Sequence, residues 1–157
     1  MRVVIAVFLV GVAWTSQAAT LTPRAQACAE GAADYHKVNP QTLTAILLHE
    51  SRGKADVVLQ NTNGSLDVGL AGTNSVHFQE LAKKGVAPRD LLDECVSAYV
   101  GAWNYSKKVF KHGNTWQAVG AYHSETPIHN ALYQIAIYNK MVDLGFLVGA
   151  KLAKPAR

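Results

Sequence analysis

Residues 39–53 read Asn-Pro-Gln-Thr-Leu-Thr-Ala-Ile-Leu-Leu-His-Glu-Ser-Arg-Gly, and this stretch governs how the remainder of the chain is interpreted. Asn39-Pro40 is a helix start, since an Asn side chain caps free backbone N–H groups and proline suits the first turn. Leu43, Ile46 and Leu47 then fall at i, i+3 and i+4, and Glu50 completes the set at i+7. At about 100° per residue the four side chains share one stripe. A carboxylate on a core-facing stripe must be neutralised, paired or put to use, because an isolated buried charge costs several kcal/mol. No Lys or Arg lies a turn before it. The expected result is a glutamic acid with a raised pKa, the state suited to a general acid working near neutral pH.

Working outward, the chain reads as a string of helices interrupted once. Thr22-Pro23 opens a helix on which Ala25, Cys28, Ala29, Ala32 and His36 keep helical spacing. After Gly53 the periodicity disappears until Asn74, and Asn63-Gly64 stands between Val57-Val58-Leu59 and Leu66-Asp67-Val68, which predicts a small β-hairpin. Ser75 is the expected cap of a helix running to about Lys84, with Gly85 as its stop, and a short helical piece is expected after Pro88. Asp93 precedes the longest amphipathic stretch, in which Cys95, Ala98, Tyr99, Ala102, Tyr105, Ser106, Val109 and Phe110 hold the rhythm. Thr115 caps a brief helix with Trp116, Val119 and Tyr122. Thr126-Pro127 opens the last helix, with Ile128, Ala131, Leu132, Ile135 and Tyr138 expected on its packed side. The fold class is therefore mainly α: one compact helical domain over residues 19–150 with a small β-hairpin element, followed by a tail, 151–157, expected to fray.

The first eighteen residues read differently. Met1-Arg2 is a short basic region, Val3–Trp14 is almost unbroken apolar sequence, and Ser16-Gln17-Ala18 supplies small residues at a cleavage site. This is the pattern of a cleaved secretory signal peptide, too short for the ~20 apolar residues of a membrane span. It implies a periplasmic protein with no stable membrane insertion after cleavage. Without residues 1–18, 139 of the 157 residues remain, enough for one core, and loss of Arg2 takes the formal charge from +4 to +3. No basic run interleaved with aromatics suggests nucleic acid. The two cysteines, Cys28 and Cys95, in an exported chain predict a disulfide.

Four groups of residues carry chemistry in order along the chain: Glu50-Ser51 at the end of the second helix; Asp67-Val68-Gly69-Leu70 and Asn74-Ser75 after the Asn-Gly turn; Gly120-Ala121-Tyr122-His123-Ser124; and Tyr133 in the final helix. Together they resemble the SLT-type lytic transglycosylases of the lysozyme-like superfamily, in particular the small accessory enzymes of type III and type IV secretion, conjugation and pilus machines. The resemblance spans about Cys28 to Tyr138. It implies an α+β lysozyme-like fold and cleavage of the β-1,4 bond between N-acetylmuramic acid and N-acetylglucosamine in peptidoglycan, with a 1,6-anhydromuramyl product. The wall would be opened locally for a secretion, conjugation or pilus machine, whose components would be partners alongside the glycan strands. Glu50 would be the sole catalytic acid/base with Ser51 beside it. Gly69-Leu70 would line the cleft opposite, with Asn74 also toward substrate; His123 stands where the family often has Asn after Ala-Tyr, and either bonds substrate or caps a helix. Tyr122 would project toward the cleaved sugar, and Tyr133 would steady the acid. The subgroup's usual cysteine positions match Cys28 and Cys95. No cofactor or metal is implied.

The departure from the family that bears on the cleft follows Gly69-Leu70, where the chain has Ala71-Gly72-Thr73-Asn74 and the family commonly has Met-Gln-Ile-Asn. The missing Met and Gln would wall the cleft and bond the glycan, so weaker subsite binding is expected. Asp67, the best candidate for a second carboxylate, reads as a turn or cap residue beside Gly69. His49-Glu50 begins like a zinc-protease helix, but position 53 is Gly and the second ligand is missing. The remaining histidines, His36, His77, His112 and His129 among them, show no ligand spacing and read as surface or cap residues. Two alternatives stand beside the transglycosylase reading: a hydrolytic muramidase assisted by Asp67, and a catalytically impaired peptidoglycan-binding scaffold of the same machine.

Overall fold

Thr22 accepts a hydrogen bond from the Ala25 N–H at 3.0 Å, so α1 (Pro23–His36) starts at the cap expected of it. Asn39 does the same for α2 (Pro40–Ser51), through Thr42 N at 2.9 Å. The computed structural model describes residues 19–155; the signal segment expected at residues 1–18 lies outside the described residues. The chain continues through strands β1 (Val58–Gln60), β2 (Leu66–Val68) and β3 (Thr73–Asn74), a 3₁₀ turn at Ser75–His77, and α3 (Phe78–Ala82). A second 3₁₀ turn, Pro88–Leu92, leads into α4 (Glu94–His112), α5 (Trp116–His123) and α6 (Pro127–Asp143). The mainly α class with a minor sheet is as expected. Among the described residues no helix is long and apolar enough to cross a membrane.

The hairpin turns at Asn63-Gly64, where Gly64 takes φ +82°, and pairs Val58 with Val68 and Gln60 with Leu66. A third strand, not expected from sequence, adds Asn74 opposite Asp67 and Thr73 opposite Val68. It also displaces the cap expected at Ser75. The Ser75 hydroxyl accepts from Leu66 N at 3.0 Å, and Asn74 caps the following turn instead through Val76 N at 3.0 Å.

Two cores form. In the larger, α2 is buried on all sides over Thr42–Leu48, and the alanines of α1 (Ala25, Ala29, Ala32) meet Ala98, Ala102 and Tyr105 of α4. The smaller holds Val68, Leu81, Leu91 and Val100 beneath the sheet. α4 supplies residues to both and so fixes one lobe against the other. Cys28 and Cys95 form the expected disulfide across the α1–α4 contact, with Cα atoms 5.0 Å apart.

The packed side of α6 differs from the one its apolar pattern predicts. Its buried residues are Asn130, Tyr133, Ile137 and Met141, whereas Ile128 is 56% exposed and Ala131 faces out. The reason is a polar seam. Asn130 donates from Nδ2 to the Gln117 and Ser124 carbonyls at 3.2 and 3.1 Å, tying α6 to the end of α5. Gly120 makes this approach possible, because a Cβ there would overlap both the side chain and the backbone oxygen of Asn130. Phe110, expected on the packed side of α4, is 95% exposed at the helix end, past the reach of either core. Gly120→Ala should therefore destabilise the protein by about 1–3 kcal/mol from overpacking, more than the ~0.5–1 kcal/mol that alanine gains over glycine in a helix. Denaturant melts measure the net sign, and stabilisation would contradict this packing.

Candidate active site

Glu50 occupies the last turn of α2, half-buried, where the helix leaves the larger core and meets the gap between the lobes. The Tyr133 hydroxyl donates to Glu50 Oε1. Burial pushes the Glu50 carboxyl from 4.5 up to about 7; the Tyr133 bond, which favours the charged form, opposes this, and the nearby negative charge of Asp67 adds to it. Tyr133 is held by rings on three sides. His123 stacks on it at 5.1 Å with planes 3° apart, His49 meets it edge-on at 5.2 Å, and Tyr122 lies parallel at 6.3 Å. Burial and then the Glu50 charge hold the hydroxyls of Tyr122 and Tyr133 well above their usual pKa, so both remain neutral donors. Tyr122 donates to the Ala71 carbonyl at 2.9 Å, a bond that fixes the segment passing under Glu50.

Two grooves meet at Glu50. One, of about 690 Å³, runs toward the sheet between Asn61, Ser65, Asp67, Asn74 and Asn104. The other, of about 630 Å³, runs between α2, α6 and the tail, past His49, Ile128, Leu132 and Lys154. Glu50, His123 and His129 border both. The tail reaches this groove because Asn139 and Leu152 exchange two hydrogen bonds, at 2.9 and 2.7 Å.

The residues singled out from sequence divide into two sets. Glu50 and His123 lie where the grooves meet, Asn74 and Tyr122 border the sheet-side groove, and Tyr133 borders the other. Ser51, Gly69 and Leu70 border neither groove. Ser51 is buried, donating to the Leu47 carbonyl at 3.0 Å and accepting from Gly53 N at 3.2 Å, which closes the end of α2. Gly69, at φ +78°, lets the chain pass against Leu91 and Ser97, and Leu70 is fully buried.

The Ala71-Gly72 departure reads differently in three dimensions. Ala71 is fully buried against Gly101 in the core rather than exposed in the cleft. Gly72 borders the groove at φ +57°, and a Cβ on it would come within 2.8 Å of Glu50 Oε2. A Gln side chain at that position would strain the backbone and crowd the acid. Asp67 is a strand residue, not a turn or cap: its two oxygens accept from the Asn61 and Asn74 amides at 2.9 and 2.7 Å. Asn61, Ser65, Asn104, His129 and Lys154 were not singled out as groove residues. A signal for part of the set exists in β2 and the residue before it, where Leu66 and Val68 alternate with Ser65 and Asp67; the period of two puts the polar pair on the open face.

Residues 27–132 match the family described as Transglycosylase SLT domain, well over half of the chain. The chain belongs to this family. The matched stretch takes in Glu50, the sheet, and Tyr122-His123, and ends one residue before Tyr133. Among relatives of this SLT chain, Invasion protein IagB of Salmonella typhimurium is 39% identical over 90 residues, covering 57% of the chain and 56% of that protein. An X polypeptide of Escherichia coli is 37% identical over 98 residues, covering 62% and 58%. A Peptidoglycan-binding-like protein of Escherichia coli O157:H7 is 32% identical over 112 residues, covering 66% and 67%. The SLT chain thus spans little more than half the length of the first two relatives.

Proposed function

We propose that this protein is a peptidoglycan lytic transglycosylase that cleaves the β-1,4 bond between N-acetylmuramic acid and N-acetylglucosamine. The observation that carries the reading is one carboxyl, Glu50, at the junction of two grooves, pushed by burial up to about 7 and so able to give and take a proton near neutral pH. Ordinary glycosidases employ two carboxylates, one as acid and one as base or nucleophile. Here the only other groove carboxylate among the described residues, Asp67, already has an amide donor on each oxygen. One carboxyl suffices if the substrate supplies the nucleophile. Glu50 donates its proton to the glycosidic oxygen as the C1–O bond breaks. The resulting carboxylate then takes the proton of the muramyl C6 hydroxyl as that oxygen bonds to C1, which gives the 1,6-anhydro product and restores the acid.

In this scheme Tyr133 orients Oε1, Gly72 leaves room beside Oε2, and Tyr122 holds the Ala71-Gly72 backbone in place. Asn74 and His123 face substrate, whereas Ser51, Gly69 and Leu70 support the site from behind. Similarity to proteins named for invasion and for peptidoglycan binding supports a periplasmic enzyme that opens the wall for a secretion, conjugation or pilus machine. Because Asp67 borders the same groove, the rival is a hydrolytic muramidase. Mass spectrometry of digested sacculi separates the two: anhydromuramyl ends are expected, and reducing muramyl ends alone would favour hydrolysis.

The Tyr133 bond gives a directional test. It stabilises the charged carboxyl, so Tyr133→Phe should raise the Glu50 pKa further. A general acid works while protonated, so the high-pH limb of the rate profile should move upward, by about 1–2 pH units for a hydrogen bond to a charged group. A limb that stays in place would remove Tyr133 from control of the acid.

A further inference from the structure

A third groove, of about 560 Å³, lies between α1, the end of α3 and α4, and is lined chiefly by Tyr35, Leu81, Val86, Val96, Tyr99 and Trp103. None of its residues borders the two grooves at Glu50. Its rings are left open to solvent, Tyr35 to 72%. At about 100° per residue Tyr99, Trp103 and Phe110 lie within about 40° of one another on α4, so the strip that leaves the groove ends on the exposed Phe110. From Tyr99 to Phe110 is about 16 Å along the helix. Exposed apolar residues scattered singly need no explanation, but a contiguous strip beside a groove marks a contact surface.

The charge around the strip is one-sided. No carboxylate lines the groove. Asp34 of α1 and Glu80 of α3 are already paired, with Lys37 at 3.0 Å and with Lys107 at 3.3 Å. Lys84 lines the groove, is exposed, and has no ion-pair partner among the described residues; its Nζ lies 5.4 Å from the centre of the Trp103 ring, and that of Lys107 lies 3.6 Å from it. No strand edge borders the groove, so an occupant meets side chains rather than backbone.

We infer that this groove and the strip beyond it dock an acidic amphipathic helix of a partner protein, its apolar side chains seated among Tyr35, Tyr99, Trp103 and Phe110 and its carboxylates against Lys84. Three turns of such a helix span the strip, and apolar residues recurring every three to four positions put one stripe of side chains against the rings. Two other occupants fit less well. A second copy, packed through the same patch on both subunits, would set two cationic surfaces face to face. A sugar stacks on a bare ring and needs polar partners for its hydroxyls, whereas ammonium groups already lie over Trp103 and the lining is chiefly apolar. Docking here leaves both grooves at Glu50 open, whatever reaction they perform.

The test is selection on the purified protein from a phage library of random peptides about 16 residues long, enough for four helical turns. Lys84→Glu/Phe110→Ala protein is the counter-target; both side chains are exposed and neither borders the grooves at Glu50, so the variant should fold and cleave sacculi at the wild-type rate. Enriched peptides are expected to carry net negative charge and apolar residues at helical spacing. They should shift the Trp103 indole NMR signal and bind the variant at least ~10-fold more weakly. No enriched peptide, peptides that are basic or lack helical spacing, or equal binding by a variant that circular dichroism shows folded would overturn the inference. So would a shift of the Trp103 signal by chitotetraose, which would make the groove a glycan site, or a dimer in sedimentation that the variant abolishes. Sacculus cleavage reports separately on the function: its absence from wild type and variant alike would end the transglycosylase reading and leave the docking result standing.

Discussion

Glu50→Gln is expected to abolish peptidoglycan cleavage and, at the same time, to stabilise the fold above neutral pH. Glutamine keeps the size and can still accept from Tyr133, but it has no proton to transfer. Turnover should fall by at least the ~10²–10⁴ assigned to general acid catalysis. The stability effect comes from linkage. A carboxyl moved from 4.5 to about 7 by burial favours the folded state only while protonated. Its penalty is absent below the unfolded value, grows as pH rises through the window between the two, and is complete above the folded value. A shift of this size corresponds to on the order of 3 kcal/mol, less where water reaches the half-buried group. Denaturant melts of both proteins across about pH 4 to pH 9 should converge at the acid end and separate at the alkaline end, with glutamine the more stable. Clearance of sacculi at the wild-type rate would end the assignment of Glu50. Parallel stability curves would mean that its carboxyl is not strained by burial.

Removing the disulfide should cost about 2–5 kcal/mol, measured as Cys28→Ala/Cys95→Ala against the oxidised wild type. The bridge closes a span of 67 residues, and loop-closure entropy for a span of that order corresponds to roughly 4 kcal/mol. The place of the bridge makes the loss hard to absorb. α1 contributes chiefly alanines to the core, and each buries far less apolar area than a leucine would. The other polar links between these helix ends, ion pairs of Arg24 with Asp93 and Glu94 and a hydrogen bond from the Thr22 hydroxyl to Glu94, lie toward the surface and are of the kind worth ~1 kcal/mol or less each. α1 should consequently be the first element to loosen on reduction. A loss below about 1 kcal/mol would mean that alanine packing alone secures it.

The helix starts were legible in the sequence because each depends on atoms within four residues. Thr22, Asn39, Asp93 and Thr115 all accept from the backbone of the first turn that follows, as their positions predict. The Asn63-Gly64 turn and the pairing of Cys28 with Cys95 were readable for related reasons, a local backbone demand in one case and a choice of one partner in the other. Glu50 was visible as an acid out of place on an apolar stripe. Its surroundings were not. The sequence pattern of α6 puts Ile128 and Leu132 inside, yet they wall a groove, while Asn130 and Tyr133 are buried because Gly120, on the preceding helix, and Glu50, far back in the chain, wait there to receive them. Ala71 and Gly72 looked like lost cleft residues until Gly101 and the Glu50 carboxylate proved to occupy the space beside them. Caps and turns are satisfied by neighbours along the chain, so sequence encodes them directly; which face of a helix is covered, and which polar groups line a groove, depends on elements dozens of residues away whose approach is settled only when the cores pack.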